Sequence, residues 1–318
     1  MSKILTTDKL INSITRRALI PTDQNTFTNQ DFIDMVNEEI DMFAVPHLLS
    51  TYEEYLVNYI DYTLEADKFE YTIPDRAVGN KLRDASLIDS SGNTIELSRI
   101  QLDELSDFEN AFNIDFRRDV FFIRDNKLVF VGEIPVTEGQ VRMHFYLRPN
   151  TLVKEERVGI ITSIDRNTGI ITLSSFPENF AVIPEMDFIS SKSPNKILKF
   201  DIQPTSVNAN TKSVTFTTTD IPEDLIVGDY LAQREETIVP QLPTELHPIL
   251  AQRVAVAALE ALGDSEGVAQ AQRKLDRMEQ SVLGIIDDRA EGNPKKIRNR
   301  YSHLRNSSRS RLTRSARL

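Results

Sequence analysis

The sequence predicts an α+β protein: a helical bundle formed by N- and C-terminal helical hairpins, an inserted antiparallel β barrel or sandwich, and an extended C-terminal tail. Apolar residues recur every three or four positions near both ends of the 318-residue chain, whereas the middle alternates with a period of two in short runs between turn residues. From Asn293 onward the chain has nine Lys or Arg residues and no acid. The predicted divisions are a helical hairpin at 1–66, a β-rich domain at 67–239, a helical hairpin at 240–290 and a basic tail at 291–318.

The first hairpin is predicted to consist of two helices on either side of Pro46. The segment TFTNQDFIDMVNEEIDMF is expected to begin a helix near Thr28 or Asn29, with Asp31 close to the positive end of the helix. Pro46 predicts a break, because proline lacks the amide hydrogen that a helix interior requires. The segment HLLSTYEEYLVNYIDY is then predicted to form the second helix.

The region from Phe69 to about Gln233 is predicted to be built from short strands. Its clearest hairpin is VGIITSIDRNTGIITLSS, in which Gly169 ends a turn of residues that tolerate left-handed backbone angles. No helix of crossover length separates the strands, so an antiparallel barrel or sandwich is favoured over a parallel sheet. The other predicted strands lie in FEYTIP, LRDASLID, NTIELSRI, KLVFVG, VRMHFYL, KILKFDI, KSVTFTTT and GDYLAQ.

The second helical hairpin is predicted to begin after Pro243. Thr244 is the expected cap of the first helix, Gly263 its end, and Asp264 or Ser265 the start of the next helix. Neither hairpin can bury its apolar side alone, so the two pairs are predicted to pack as a four-helix bundle. The alternative is two independent hairpins that lie on the β region.

The composition of the chain limits the classes of protein to which it can belong. The chain has no cysteine, which excludes disulfides, thiolate metal sites and cysteine nucleophiles. Its net charge is −11, but the residues before Asn293 hold 28 basic residues against 48 acids, a net charge of −20. The apolar runs are too short for a membrane span and the first residues do not resemble a signal peptide, so we expect a soluble, unexported protein.

The sequence predicts no catalytic, cofactor or metal site. The four histidines are far apart in sequence, and no phosphate-binding glycine loop or nucleophile elbow is present. Acid pairs such as Glu38 and Glu39 are adjacent, so their side chains diverge on a helix or a strand. His144 and His247 are interpreted as packing or capping residues. We therefore expect a protein that is not an enzyme.

Two helical stretches and the first strands carry a resemblance to a known family. The segment LPTELHPILAQRVAVAALEALGDSEGVAQAQRKLDRMEQSVLGIIDDRAEGNPKKIRNR is similar to the C-terminal part of head-to-tail connector proteins, of the adaptor or tail-tubular type, from short-tailed bacteriophages. The segments FTNQDFIDMVNEEIDMFAVPHLLSTYEEYLV and YTIPDRAVGNKLRDASLID also resemble these proteins. The likeness lies in the order of the segments along most of the chain, since none of them is as specific as a catalytic signature.

The resemblance implies a structural virion protein at the portal–tail junction, made in the host cytoplasm. Such a protein forms a homo-oligomeric ring, expected to be a dodecamer, which contacts the portal protein, the next tail protein and the passing viral DNA. The resemblance also implies that the C-terminal tail docks on the portal through its charges and a few apolar anchors. The expected docking residues are Lys295, Lys296, Ile297, Arg298, Arg300, Tyr301, Leu304, Arg305, Arg309, Arg311, Arg314 and Arg317.

Other functions of the tail, and of the whole chain, are alternatives to this interpretation. The chain could be a nucleic-acid-binding protein that uses the tail as an electrostatic arm, in which case its affinity would fall steeply with salt. An enzyme, such as a carbohydrate-directed tail protein, is disfavoured because no acid pair is placed for it. Membrane attachment is disfavoured too, since the arginines alternate with serines rather than with a broad apolar face. In the isolated protein we expect the tail to be disordered.

Overall fold

The computed structural model describes residues 5–21, 26–65, 67–101, 120–131, 138–181 and 184–283, which all belong to one compact unit. Its α-helices are α1 Thr7–Arg17, α2 Asn29–Glu39, α3 Val45–Thr51, α4 His247–Leu262 and α5 Ser265–Leu283. A π-helical turn, Ile40–Ala44, joins α2 to α3, and short 3-10 turns lie at Glu53–Tyr55, Glu155–Arg157, Glu178–Ala181 and Thr218–Asp220.

Strands make up most of the regular structure between α3 and α4. In chain order they are β1 Val57–Thr63, β2 Glu70–Thr72, β3 Ala77–Asp89, β4 Thr94–Glu96, β5 Ser98–Arg99, β6 Val120–Arg124, β7 Lys127–Phe130, β8 Gly139–Leu147, β9 Thr151–Leu152, β10 Gly159–Asp165, β11 Ile170–Leu173, β12 Met186–Ile189, β13 Ile197–Ile202, β14 Ser206–Asn208, β15 Ser213–Thr215, β16 Tyr230–Gln233 and β17 Glu236–Thr237. They form sheets in the orders β1-β8-β3-β4, β2-β7-β6-β5, β17-β9 and β13-β12-β16-β10-β11-β15-β14.

The predicted fold class, a helical bundle with an inserted β barrel or sandwich, is wrong. The described residues form a mixed protein of mostly β content, with several sheets, and the seven-stranded sheet is antiparallel throughout. The helices do not make a separate bundle, because their core also contains Leu152 of β9 and the amide of Thr7 at the start of α1 donates to the Ile238 carbonyl, 2.8 Å away. The predicted division of the chain at residues 66, 239 and 290 stays a prediction.

The predicted N-terminal hairpin fails at two places. Pro46 does not break the helix: the preceding π turn, in which the Val45 amide donates to Ile40, widens the backbone and gives the proline ring room. The predicted second helix ends at Thr51, and Val57–Thr63 is strand β1. Strand β1 pairs with β8 over its whole length, and Arg142 of β8 lies opposite Asp61, with Nε and Nη2 of its guanidinium each donating to the carboxylate at 2.7 Å.

Several local predictions are confirmed. The Thr28 hydroxyl caps α2 by accepting from the Asp31 amide, and the Asp31 carboxylate accepts from the Thr28 amide at 2.6 Å, a capping box that lowers the pKa of Asp31. Gly263 ends α4 with φ +75°, and α5 begins at Ser265. All the predicted strand segments contain observed strands. Thr244 does not cap α4; its hydroxyl lies 2.7 Å from that of Ser193.

Three large apolar cores occupy the described part of the chain. The first joins α1, α2 and α3 to α4 and α5, so both chain ends contribute to it. The second lies between the sheets of β1-β8-β3-β4 and β2-β7-β6-β5 and contains Tyr71 and Phe145. The third lies on the seven-stranded sheet and contains Phe188 and Leu231. A fold with several cores in one compact unit needs contacts that tie the cores together.

A substitution in the turn between β10 and β11 tests the packing of that turn. Gly169 lies in the left-handed region at φ +75°, and a Cβ added there would lie 2.1 Å from the Phe216 carbonyl oxygen. Gly92 has a similar φ of +84° but open space around it, so it is a matched control. We expect Gly92→Ala to cost about 1–2 kcal/mol from backbone strain alone. Gly169→Ala should cost about 1–3 kcal/mol more, because the backbone carbonyl cannot move aside without disrupting the β11–β15 ladder. Urea unfolding followed by circular dichroism measures both, and equal losses would contradict this packing.

Candidate functional site

Among the described residues, one arginine is buried. Arg76 lies in the loop between β2 and β3 and is 1% exposed. Three polar side chains surround it: Asp187 of β12, Asp201 of β13 and Asn150, which precedes β9. We call Arg76, Asn150, Asp187 and Asp201 the Arg76 cluster.

The Arg76 guanidinium is paired with two carboxylates and one amide oxygen. Nη1 of Arg76 lies 2.9 Å from Oδ2 of Asp187 and 2.9 Å from Oδ1 of Asp201, and Nη2 donates to Oδ1 of Asn150. The Nδ2 group of Asn150 donates in turn to Oδ2 of Asp187 at 2.7 Å. The guanidinium carbon also lies 5.3 Å from the centre of the Phe200 ring, which adds a cation–π contact.

Asp187 is held on several sides besides Arg76. It is fully buried, and its carboxylate accepts backbone amides of Asp201 at 3.0 Å and Glu235 at 3.1 Å. These bonds come from β13 and from the turn after β16, so one carboxylate fixes the position of two chain segments. A buried charge that accepts this many bonds is sensitive to the removal of any partner.

Arg234 forms an outer layer of the same network. It is one-third exposed, and its guanidinium contacts Asp75, Glu185 and Asp201 at 2.7, 2.7 and 3.3 Å. Burial is the largest influence on Asp201 and raises the pKa of its carboxyl, while the two arginines act in the opposite direction. The outer layer therefore helps to hold Asp201 against Arg76.

A polar cavity of about 130 Å³ adjoins the Arg76 cluster. Arg76, Asn150, Arg148, Asp41 and Glu235 contribute to its lining. The Arg76 guanidinium is already engaged by carboxylates, so it is poorly placed to bind another anion. The cluster is best suited to hold three parts of the chain together, namely the β2–β3 loop, the β8–β9 connection and the edge of the seven-stranded sheet.

The sequence indicates that His247 is a packing or capping residue. It is fully buried at the start of α4, and its Nε2 donates to the Leu242 carbonyl at 3.2 Å. Burial lowers the pKa of His247, so the ring is neutral at neutral pH. Among the described residues, no group of three or more His, Cys, Asp or Glu side chains could hold a metal ion.

The docking residues predicted between Lys295 and Arg317 lie outside the described residues and stay a prediction. None of the described helices is both long enough and apolar enough to cross a membrane.

Sequence reasoning missed the Arg76 cluster. Arg76 has no periodic context, since it follows Pro74 and Asp75 in a loop. The available signal was Asp187: it is the only charged residue in Met186–Ile189, a four-residue strand whose members are all buried. A lone acid in an apolar run indicates a buried partner, but only the folded chain shows which cation supplies it.

Comparison with known proteins adds no identification. No protein-family model matches the chain, and no curated protein matches its sequence.

Arg76→Met should destabilise the protein by about 3–5 kcal/mol, because it leaves the Asp187 charge buried without its partner. The double variant R76M/D187N should recover part of the loss, and the coupling between the two sites should reach about 2 kcal/mol. Arg142→Met is the matched control, since it removes an Arg–Asp pair in which the side chains are 31% and 24% exposed, and should cost about 1 kcal/mol or less. Chemical denaturation measures all of these, and equal losses for R76M and R142M would contradict the assignment.

Proposed function

We propose that this chain is a structural head-to-tail adaptor of a bacteriophage, which forms a ring beneath the portal, extends the DNA channel and offers a platform for the next tail protein. The observation that carries the proposal is the order of the connector-like segments along the chain, from FTNQDFIDM near the start to LPTELHPILAQ near the end. The fold class first expected for the chain is not part of this proposal.

Contacts between the connector-like segments support the proposal. Arg253 of α4 reaches Glu39 of α2 at 2.6 Å and Glu279 of α5 at 2.9 Å, and its guanidinium carbon lies 3.9 Å from the centre of the Phe43 ring. The two helical segments with the family likeness are therefore neighbours in one core, although about 200 residues of mostly strand separate them. A likeness shared by contacting segments agrees with their being parts of one assembly-forming unit.

The uneven charge supports a docking role for the tail. The nine cations from Asn293 onward are joined to residues whose net charge is −20. Once a ring fixes the roots of many tails, weak charged contacts to an acidic surface add together, because each later contact is intramolecular. An acidic body also suits a conduit, since a wall that attracted phosphates would retain the DNA that has to pass.

Removal of residues 293–318 should leave the folded body intact and weaken binding to the portal of the same virus by about 100-fold, since the multivalent charged contacts are lost. Negative-stain electron microscopy of the mixed proteins and surface plasmon resonance measure ring attachment and affinity. The full chain should give rings on the portal, and the truncated chain should not.

Two controls separate the contributions within the tail. One variant changes all nine Lys and Arg residues of the tail to Gln; the other changes Ile297, Tyr301 and Leu304 to Ala and keeps the charge. Full portal affinity after truncation would contradict the docking role. Retention on duplex DNA that depends on the tail and falls steeply with salt, without portal binding, would favour the nucleic-acid arm instead.

A further inference from the structure

A small cleft opens where β1 begins and β8 ends, beside the loop that precedes β13. Tyr55, Arg148, Pro194, Lys196 and Gln241 contribute to its lining, and its volume is about 50 Å³. A water molecule needs about 10–15 Å³ of such volume, so the cleft has room for a few waters or for one carboxylate group. We call it the Gln241 cleft.

Gln241 lines this cleft, and its side-chain amide has an unused donor. Its side chain is 6% exposed, and its Oε1 accepts the Asn150 amide at 2.7 Å, which fixes the orientation of the group. Its Nε2 is buried and finds no acceptor among the described residues. A buried amide donor without a partner is unfavourable, so an acceptor bound at the cleft would stabilise it.

Two cations at the same cleft indicate the charge of that acceptor. The side chains of Arg148 and Lys196 are exposed, and neither makes a hydrogen bond or an ion pair with any other described residue. The arginines of the Arg76 cluster and of the β1–β8 pair are engaged by carboxylates, so Arg148 differs from them. The lining of the cleft contains no Asp or Glu.

The remaining lining is neutral. Tyr55 donates its hydroxyl to the Pro194 carbonyl at 2.8 Å, and burial raises the pKa of Tyr55, so the phenol keeps its proton. Glu245 is the acid whose charge acts on Tyr55, and it does not line the cleft. An amide donor and two unengaged cations in a pocket of this size suit a carboxylate better than a neutral group.

We propose that the Gln241 cleft binds an Asp or Glu side chain of a second copy of this chain, with the carboxylate accepting from Nε2 of Gln241 and from Arg148 and Lys196. Charge complementarity identifies the occupant. The residues before Asn293 carry 48 acids against 28 bases, so a neighbouring copy presents many carboxylates to this cationic site. The choice of a second copy rests on the proposed ring, whereas the carboxylate chemistry rests on the cleft alone.

The carboxylate chemistry is tested with acetate as the probe on the full chain. Acetate titrated against chloride at constant ionic strength should shift the Gln241 side-chain amide resonances, which are assigned by their loss in Gln241→Glu. That variant keeps an oxygen for the Asn150 amide but replaces the donor. R148Q/K196Q should weaken acetate binding at least tenfold. The control K81Q/K192Q changes the net charge equally at exposed lysines outside the cleft and should bind acetate as the natural chain does. Absence of any shift with acetate would overturn the site.

The identity of the occupant is tested by assembly. Sedimentation velocity should show that the fraction of protein in oligomers is at least tenfold lower for R148Q/K196Q and for Q241E than for K81Q/K192Q. Excess acetate added to the natural chain should cause part of the same decrease. Acetate binding with unchanged oligomers in R148Q/K196Q would overturn the second copy as occupant. If the natural chain forms no ring, alone or with the portal, the proposed function and the second-copy occupant both fail, while the acetate titration still decides whether the cleft binds carboxylates.

Discussion

A guanidinium that is 1% exposed has to be neutralised where it lies, and this requirement shapes the fold around Arg76. Asp187, Asp201 and Asn150 meet it from separate parts of the chain, and Asp187 also accepts backbone amides from β13 and from the turn after β16. A chain that misplaced any of these segments would leave a charge buried without a partner. The Arg76 cluster therefore selects one arrangement of the sheets, in addition to whatever stability it provides.

Hydrogen bonds join the helices to the chain segment that follows Asn150. Asn37 of α2 exchanges two hydrogen bonds with the backbone of Leu152, and the Thr7 hydroxyl of α1 donates to the Val153 carbonyl at 2.8 Å. Both contacts lie just beyond Asn150, so the segment that supplies Asn150 to the Arg76 cluster also supports the helical core. Arg253 then joins the N-terminal helices to the C-terminal pair. The described helices and sheets are therefore joined by hydrogen bonds and ion pairs as well as by apolar packing.

Local chemistry explains how much of the fold could be predicted. The start of α2 near Thr28, the end of α4 at Gly263 and the turn at Gly169 are decided by neighbouring residues, and the sequence predicts them correctly. Strand β1 was missed because its tyrosines and isoleucine fit a helical period as well as an alternating one, and its partner strand β8 is remote in sequence: the paired residues Asp61 and Arg142 are 81 residues apart. The predicted helix break at Pro46 is wrong for a related reason, because a π turn that accommodates the proline has no simple sequence pattern.

The candidate sites also differ in whether the sequence alone predicts them. The basic tail is visible in the sequence because charge is a property of composition. The Arg76 cluster and the Gln241 cleft are not, because each collects side chains from several strands and loops whose registers depend on the whole fold. Asp187 alone gave a signal, as a single acid in an apolar strand.

Native-state hydrogen exchange in low urea tests most directly whether the Arg76 cluster joins the cores into one cooperative body. If it does, the slowest amides of α4, β8 and β12, one element from each large core, should open with the same free energy and the same dependence on urea. Exchange of the β12 amides through a separate opening of lower free energy, while α4 and β8 stay protected, would contradict the account.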